Sequence, residues 1–252
     1  TIGPYSILRI IGKGGFSVVL LAKHDDTGEL CALKIMDKDV EHEETMLNLV
    51  TNEVDIMSSI QHPNIINLLS YSFTDSLVKP NGDSKEVFYL ALELAAGGEL
   101  FDFLAETGEF PEEIARYYFH QIMDAFEYLN ENGISHRDIK PENMMFDSDY
   151  NLKIADFGFS SNLPLNQSKK GTVNYMAPEV YEGLVYNGHC ADLFSVGILL
   201  FIMISRHPPF LRASYSDQHY KLLIGNREDL FWKFHSKNKP ESFYSNSLKA
   251  LL

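Results

Sequence analysis

Short β-branched and aliphatic runs dominate the N-terminal part of the chain. YSILRII, SVVLLAK and LCALKIM are separated by glycines and an Asp-Asp-Thr-Gly turn, which predicts an antiparallel meander. One stretch breaks the pattern: over residues 45–60, Leu47, Val50, Val54, Met57 and Ile60 recur near helical spacing. Strands return in IINLLSYSF and EVFYLALEL, and the polar TDSLVKPNGDSKE between them predicts a loop. After AAGGEL the spacing turns helical. Pro111 suits a first helical position, Glu112 and Glu113 suit the positive helix end, and Ile114, Tyr118, Ile122, Ala125 and Leu129 fall on one face. MMF and LKIA flank a polar turn and predict a small hairpin. Further helices are expected over residues 192–204, near 215–224 and from about 245. A β-rich part followed by a helical one, joined near residues 93–98, predicts an α+β fold of two lobes with a cleft where a ligand binds.

Composition narrows the classes. The 252 residues are 45% hydrophobic and 22% charged, ordinary for a folded domain. The net charge of −14 argues against a nucleic-acid surface, which needs a basic footprint, and leaves room for cationic peptide partners. Cys31 and Cys190 each lie beside apolar neighbours and read as buried free thiols of a reducing, intracellular compartment, cytoplasmic or nuclear. The histidines are scattered without zinc-site spacing. The longest apolar run, residues 193–204, is too short to span a bilayer and predicts a buried helix. A start at Thr1 reads as an excerpt of a longer protein.

Glycines crowd the first turn, in GKGGFSVV. Alone, such a stretch is either a hairpin turn or a backbone cradle for phosphates, and Ser17 stands where a G-x-G-x-x-G pattern has its third glycine. HRDIKPENMMF, followed by KIADFG, carries more chemistry. It places one candidate base, Asp138, near two oxygen donors, Asn143 and Asp156, suited to a hard cation such as Mg²⁺. The plainer alternative is a polar turn packed between helix and strand.

With CALK and APE also in order, the chain from residue 7 onward resembles the eukaryotic protein-kinase family. The resemblance implies a small antiparallel sheet lobe with one main helix (residues 1–94) and a larger helical lobe (95–252) that ends before its final helix. It implies ATP and Mg²⁺ as cofactors. Ile11, Gly12, Gly14 and Ser17 would belong to the phosphate-covering loop, and Lys34 would reach the phosphates. Glu53 would pair with Lys34, or else share a solvated face with Glu41, Glu43 and Glu44. Val19, Ala32 and Met145 would sandwich adenine, with Leu92 beside it and the backbone of Glu93 and Ala95 on its edge. Asp138 would be the base, Lys140 would stabilise the transferring phosphate, and Asn143 and Asp156 would bind Mg²⁺. Leu68, Met57, His136 and Phe157 would form an apolar stack anchored by Asp192.

Lys140 and GTVNY resemble the serine/threonine branch, and HPNI with AAGGELFDFL resembles the calcium/calmodulin-dependent and AMP-activated group. The family's Trp, two residues after the equivalent of Asp192, is Phe194 here. Glu179 would meet an arginine near the C-terminus, and the chain stops before one: either the excerpt is cut short, the favoured reading, or Glu179 lacks its usual partner. Glu99 and Glu142 would favour arginine upstream of the target hydroxyl. Ser168 falls where an activating phosphate from an upstream kinase would face Arg137. Two alternatives stay open: a nucleotide-binding pseudokinase or scaffold, and a small-molecule phosphotransferase.

Overall fold

The computed structural model describes residues 1–15, 17–38 and 43–252, with only the backbone of Glu43. Phe16 in the glycine-rich stretch, Glu41 and the Glu43 side chain therefore lie outside the described residues. Strands β1 (Tyr5–Lys13), β2 (Ser17–His24), β3 (Leu30–Asp37), β4 (Leu68–Val78) and β5 (Ser84–Glu93) form one antiparallel sheet in the order β1-β2-β3-β5-β4. Cross-strand partners share a face of a pleated sheet, and side chains alternate along each strand. Leu20 opposite Leu33, Ala22 opposite Cys31 and Leu33 opposite Ala91 therefore form one buried face, joined by Ile35, Val87 and Tyr89. The other face carries Gly12 opposite Val19, Val19 opposite Lys34, and Ala32 opposite Leu92.

Helix α1 (Glu43–Ser59) buries Val50, Val54 and Met57, an i, i+4, i+7 row. Leu47 fits that row by spacing but is 38% exposed, so the covered face begins one turn later than the pattern implies. The expected loop over residues 74–86 is mostly strand. Asp75, Ser76, Leu77 and Val78 pair with Val87, Glu86, Lys85 and Ser84, and only residues 79–83 turn, around Gly82 at φ +89°. Residues 78–86 are exposed and only Leu77 packs against the core, so the tip shows no apolar alternation and its strands read as a loop.

The chain divides into two compact units, residues 1–97 with 146–158, and 98–145 with 159–252. The short segment joins the first unit through backbone pairing: Ile66 N–H donates to Ile154 O (2.9 Å), and Ile154 N–H to Asn64 O (2.8 Å).

The second unit begins with β6 (Gly98–Glu99) and α2 (Leu100–Thr107), then α3 (Glu112–Glu131). Pro111 caps α3 from outside, and its buried row is Ala115, Ile122, Ala125 and Leu129. Ile114 is exposed: the buried row keeps Ile122, Ala125 and Leu129 of the expected stripe, and only its first turn differs, with Ala115 facing inward in place of Ile114. Strands β7 (Met144–Phe146) and β8 (Leu152–Ile154) flank the expected polar turn, with that turn and β8 in the first unit; back in the second, α4 (Pro178–Tyr181) is a single turn.

Helix α5 (Gly188–Ser205) packs against α3. Among the described residues it is the one helix long and apolar enough to cross a membrane, yet 72% of it is buried inside the protein, as a core helix would be. Cys190 is exposed, unlike Cys31 and contrary to the expectation of two buried thiols. It lies in the first turn of α5, about 100° round the helix from buried Ala191.

The helix expected over residues 215–224 is only α6 (Tyr220–Ile224). Asp217 Oδ1 accepts from the N–H groups of His219 and Tyr220, and Oδ2 from Leu211 N–H. Those bonds hold the preceding residues in a turn. Helices α7 (Glu228–His235) and α8 (Asn246–Leu251) follow, with the Ser245 hydroxyl capping α8.

Candidate active site

In the first unit, Lys34 leaves β3 on the face opposite the core. Its ammonium lies 2.6 Å from Glu53 Oε1 and 2.9 Å from Asp156 Oδ1. Glu53 is buried, whereas the Asp156 carboxylate is half-exposed. Burial works against the Lys34 charge, but Glu53 and Asp156 together outweigh it and hold the lysine above its ordinary pKa. Burial in turn pushes Glu53 up, against the pull of Lys34. One permanent cation is thus fixed on the sheet face that also carries Gly12, Val19, Ala32 and Leu92.

The glycine-rich stretch closes the β1–β2 hairpin, with Gly14 N–H donating to Ser17 O at 2.8 Å. Ile11 is exposed at the edge of the same hairpin. Glu93 ends β5, so the chain leaves the sheet just before Ala95. The Glu93 side chain is held from below: Lys153 reaches Oε1 (2.6 Å), and the Asn67 amide groups reach Oε2 (2.8 and 3.2 Å).

In the second unit the HRDIKPEN loop is pinned by a carboxylate from α5. Asp192 accepts from the backbone N–H of His136 (2.6 Å) and of Arg137 (2.7 Å). Burial pushes the Asp192 carboxyl up to about 7, against the pull of those two N–H groups. Both donors therefore point at one buried side chain, and Arg137 takes a positive φ of +66°.

Asp138 follows, and both its oxygens are engaged. Oδ1 accepts from the Thr172 backbone N–H (2.9 Å) and hydroxyl (2.8 Å), and Oδ2 from Lys140 (2.6 Å) and the Asn143 amide (3.2 Å). Lys140 also donates to the Thr172 hydroxyl at 3.1 Å. The approach of residue 172 depends on Gly171, at φ +102°, where a Cβ would run into the Arg137 carbonyl. Met145, placed beside adenine by the resemblance, is half-buried in β7.

Asn143 in the second unit and Asp156 in the first each carry an oxygen of the kind that Mg²⁺ takes. Asn143 directs its amide nitrogen at Asp138 O (2.8 Å), which presents its oxygen on the opposite side. Asp156 offers a half-exposed carboxylate. Among the described residues no group of three or more His, Cys, Asp or Glu is arranged to hold a metal. Mg²⁺ commonly takes only one or two protein oxygens and completes its shell with phosphates and water.

Two further features complete the second unit. Arg137 donates to Phe159 O (2.6 Å), Asn166 Oδ1 (2.9 Å) and the Ser168 hydroxyl (3.0 Å). Ser168 is legible from the sequence, whereas Asn166 is a polar residue in a polar loop with no local signal to mark it. Glu99 and Glu142 lie close enough to interact: burial, then Asp102 and Glu142, raise the Glu99 pKa, with Lys140 opposing. Glu142 Oε2 is buried without a hydrogen-bond partner among the described residues.

A family model described as the protein kinase domain matches residues 5–252. The chain is similar to CBL-interacting protein kinase 24 of Oryza sativa subsp. japonica, at 37% identity over 92% of this chain and 50% of that protein. It is also similar to CBL-interacting serine/threonine-protein kinase 24 of Arabidopsis thaliana, at 38% identity over 88% of this chain and 48% of that protein. The chain thus spans about half the length of the curated relatives it matches.

Proposed function

This chain belongs to the protein kinase family, and on that premise we propose that it transfers the γ-phosphate of ATP to serine or threonine hydroxyls of protein substrates. The observation that carries the reading is the Asp138 carboxylate tied to both Lys140 and Thr172. A base must be aimed at its proton, and those bonds fix the carboxylate's rotation. Asp138 orients the acceptor hydroxyl and takes its proton. Lys140 sits beside that oxygen and offsets charge on the transferring phosphate.

Lys34, fixed and charged, binds the α- and β-phosphates. The backbone at Gly12 and Gly14 covers them, and Val19, Ala32 and Leu92 line the adenine, whose edge meets the backbone of Glu93 and Ala95. Asp156 and Asn143 each serve as an oxygen donor to Mg²⁺, which when bound neutralises phosphate charge.

Substrate choice follows from Glu99 and Glu142. Two carboxylates in mutual repulsion, one with a buried unpartnered oxygen, favour a guanidinium over a neutral side chain. Activity rises on phosphorylation of Ser168, whose hydroxyl already touches Arg137. A phosphate there adds nearly two negative charges against that cation. An upstream kinase or the enzyme itself supplies it.

The reading is tested on a peptide library with Mg²⁺ and ATP. Phosphate should enter Ser and Thr peptides and not Tyr peptides, with arginine preferred upstream of the target. Transfer to Tyr alone, or to no peptide, would contradict it.

A further inference from the structure

Lys153 is a charged residue where packing alone asks for an apolar one. It is the middle residue of β8, between Leu152 and Ile154, both fully buried, and its own side chain is 8% exposed. A buried ion pair is weak evidence for stability, since a well-packed apolar residue of similar volume often serves as well or better. The ammonium must therefore be understood by what it holds. It lies 2.6 Å from Glu93 Oε1 and donates to Pro63 O at 2.9 Å. The other carboxylate oxygen accepts from Asn67 Nδ2 and Asn67 N–H. Glu93 N–H in turn donates to Asn67 O at 2.9 Å. The side chain and backbone N–H of Glu93 are thus both tied down at the point where β5 ends.

We infer that Lys153 is a positioning residue for nucleotide recognition. Through the Glu93 carboxylate, Lys153 and Asn67 fix the Glu93 peptide group, and so the direction of its carbonyl oxygen. The inference rests on the proposal that adenine lies against Glu93. There the carbonyl reads the purine 6-amino group, a donor that hypoxanthine replaces with an oxygen. A fixed carbonyl rejects the wrong base, and a loosened one rejects it less. Lys153 touches no nucleotide, so its effect falls on affinity and base selectivity and leaves the transfer step alone.

The experiment measures Kd for ATP and inosine triphosphate by calorimetry, with kcat from peptide phosphorylation and Tm from thermal unfolding. It uses wild type, Lys153→Met, Lys153→Arg and Asn67→Ser. Wild type should prefer ATP by about tenfold or more. Lys153→Met should weaken ATP binding several-fold, narrow the ATP preference at least about threefold and change kcat by less than about twofold. Lys153→Arg should recover most of both binding effects. Asn67→Ser, which removes one side-chain bond from the other oxygen, should show the same pattern in weaker form, whether or not Lys153→Met folds.

If wild type does not distinguish the two nucleotides, the adenine proposal at Glu93 is itself wrong. If wild type distinguishes them and the folded variants do so equally, or if kcat falls at unchanged Kd, the role given to Lys153 is overturned.

Discussion

Arg137 is held at three points, by Phe159 O, Asn166 Oδ1 and the Ser168 hydroxyl. A guanidinium has more donor capacity than one neutral hydroxyl can use, and a phosphate offers two or three oxygens in matching geometry. Phosphorylated wild type should therefore be more active than its phosphatase-treated form, by about tenfold or more in kcat/KM. Ser168→Ala should match the dephosphorylated form and no longer respond to phosphatase. Mass spectrometry and peptide kinetics on the two proteins check this, and equal activity of Ser168→Ala and phosphorylated wild type would remove the switch. Ser168 could be picked out from the sequence because the motif after it fixes its distance along the chain. Asn166 and Lys153 could not, because their partners, Arg137 and Glu93, are distant in sequence. Lys153 did leave a trace, as one lysine inside a three-residue apolar strand.

Helix α7 ends in His235, which lies among rings: Phe231 at 4.4 Å, Phe201 at 4.9 Å, and His207 and His219 at 5.2 and 5.5 Å between centroids. Burial, then the neighbouring His207 and His219, lower its pKa to about 4, with the Pro209 carbonyl pulling weakly the other way. An unfolded histidine titrates near 6.5. The neutral form therefore stabilises the fold above pH 6.5, and that contribution is lost as pH falls toward 4. Asp192 acts in the opposite sense, because its pKa is raised and its ionisation costs stability as pH rises toward 7. A comparison with His235→Phe isolates the histidine. From pH 7 to pH 5, wild type should lose roughly 2 kcal/mol more unfolding free energy than the variant. Parallel pH profiles for the two proteins in denaturant titrations would contradict this.

The sequence pattern located α1, α3, α5 and the strands of the sheet to within a few residues, because each has a face that must be apolar. It missed α7, a helix of eight residues whose buried face is Phe231 and His235, because an apolar pattern does not count a histidine, and it misread the exposed β4–β5 tip, which has no apolar alternation to detect.

At the scale of the whole chain, 35 acidic residues against 21 basic ones set a negative field, which on the proposed function would draw in a cationic peptide. Two of the acids, Glu99 and Glu142, form a local and partly desolvated pair, to which the proposed function gives the choice of upstream arginine. Glu99→Gln with Glu142→Gln should raise KM for a peptide with upstream arginine by about tenfold and leave an arginine-free peptide within about twofold. Added salt should weaken binding of the arginine peptide to wild type more than to the double variant. A loss that is equal for both peptides would assign the glutamates to general charge alone.

Asp138 is the residue on which the proposed transfer turns, since its carboxylate is the meeting point of Lys140, Asn143 and Thr172. The direct measurement is transfer of labelled γ-phosphate from ATP to a serine peptide by wild type and by Asp138→Asn, with nucleotide Kd measured on both. Wild type should phosphorylate the peptide, and Asp138→Asn should bind nucleotide normally while kcat falls by about 10² or more. Near-wild-type transfer by Asp138→Asn, or no transfer by wild type phosphorylated at Ser168, would contradict it.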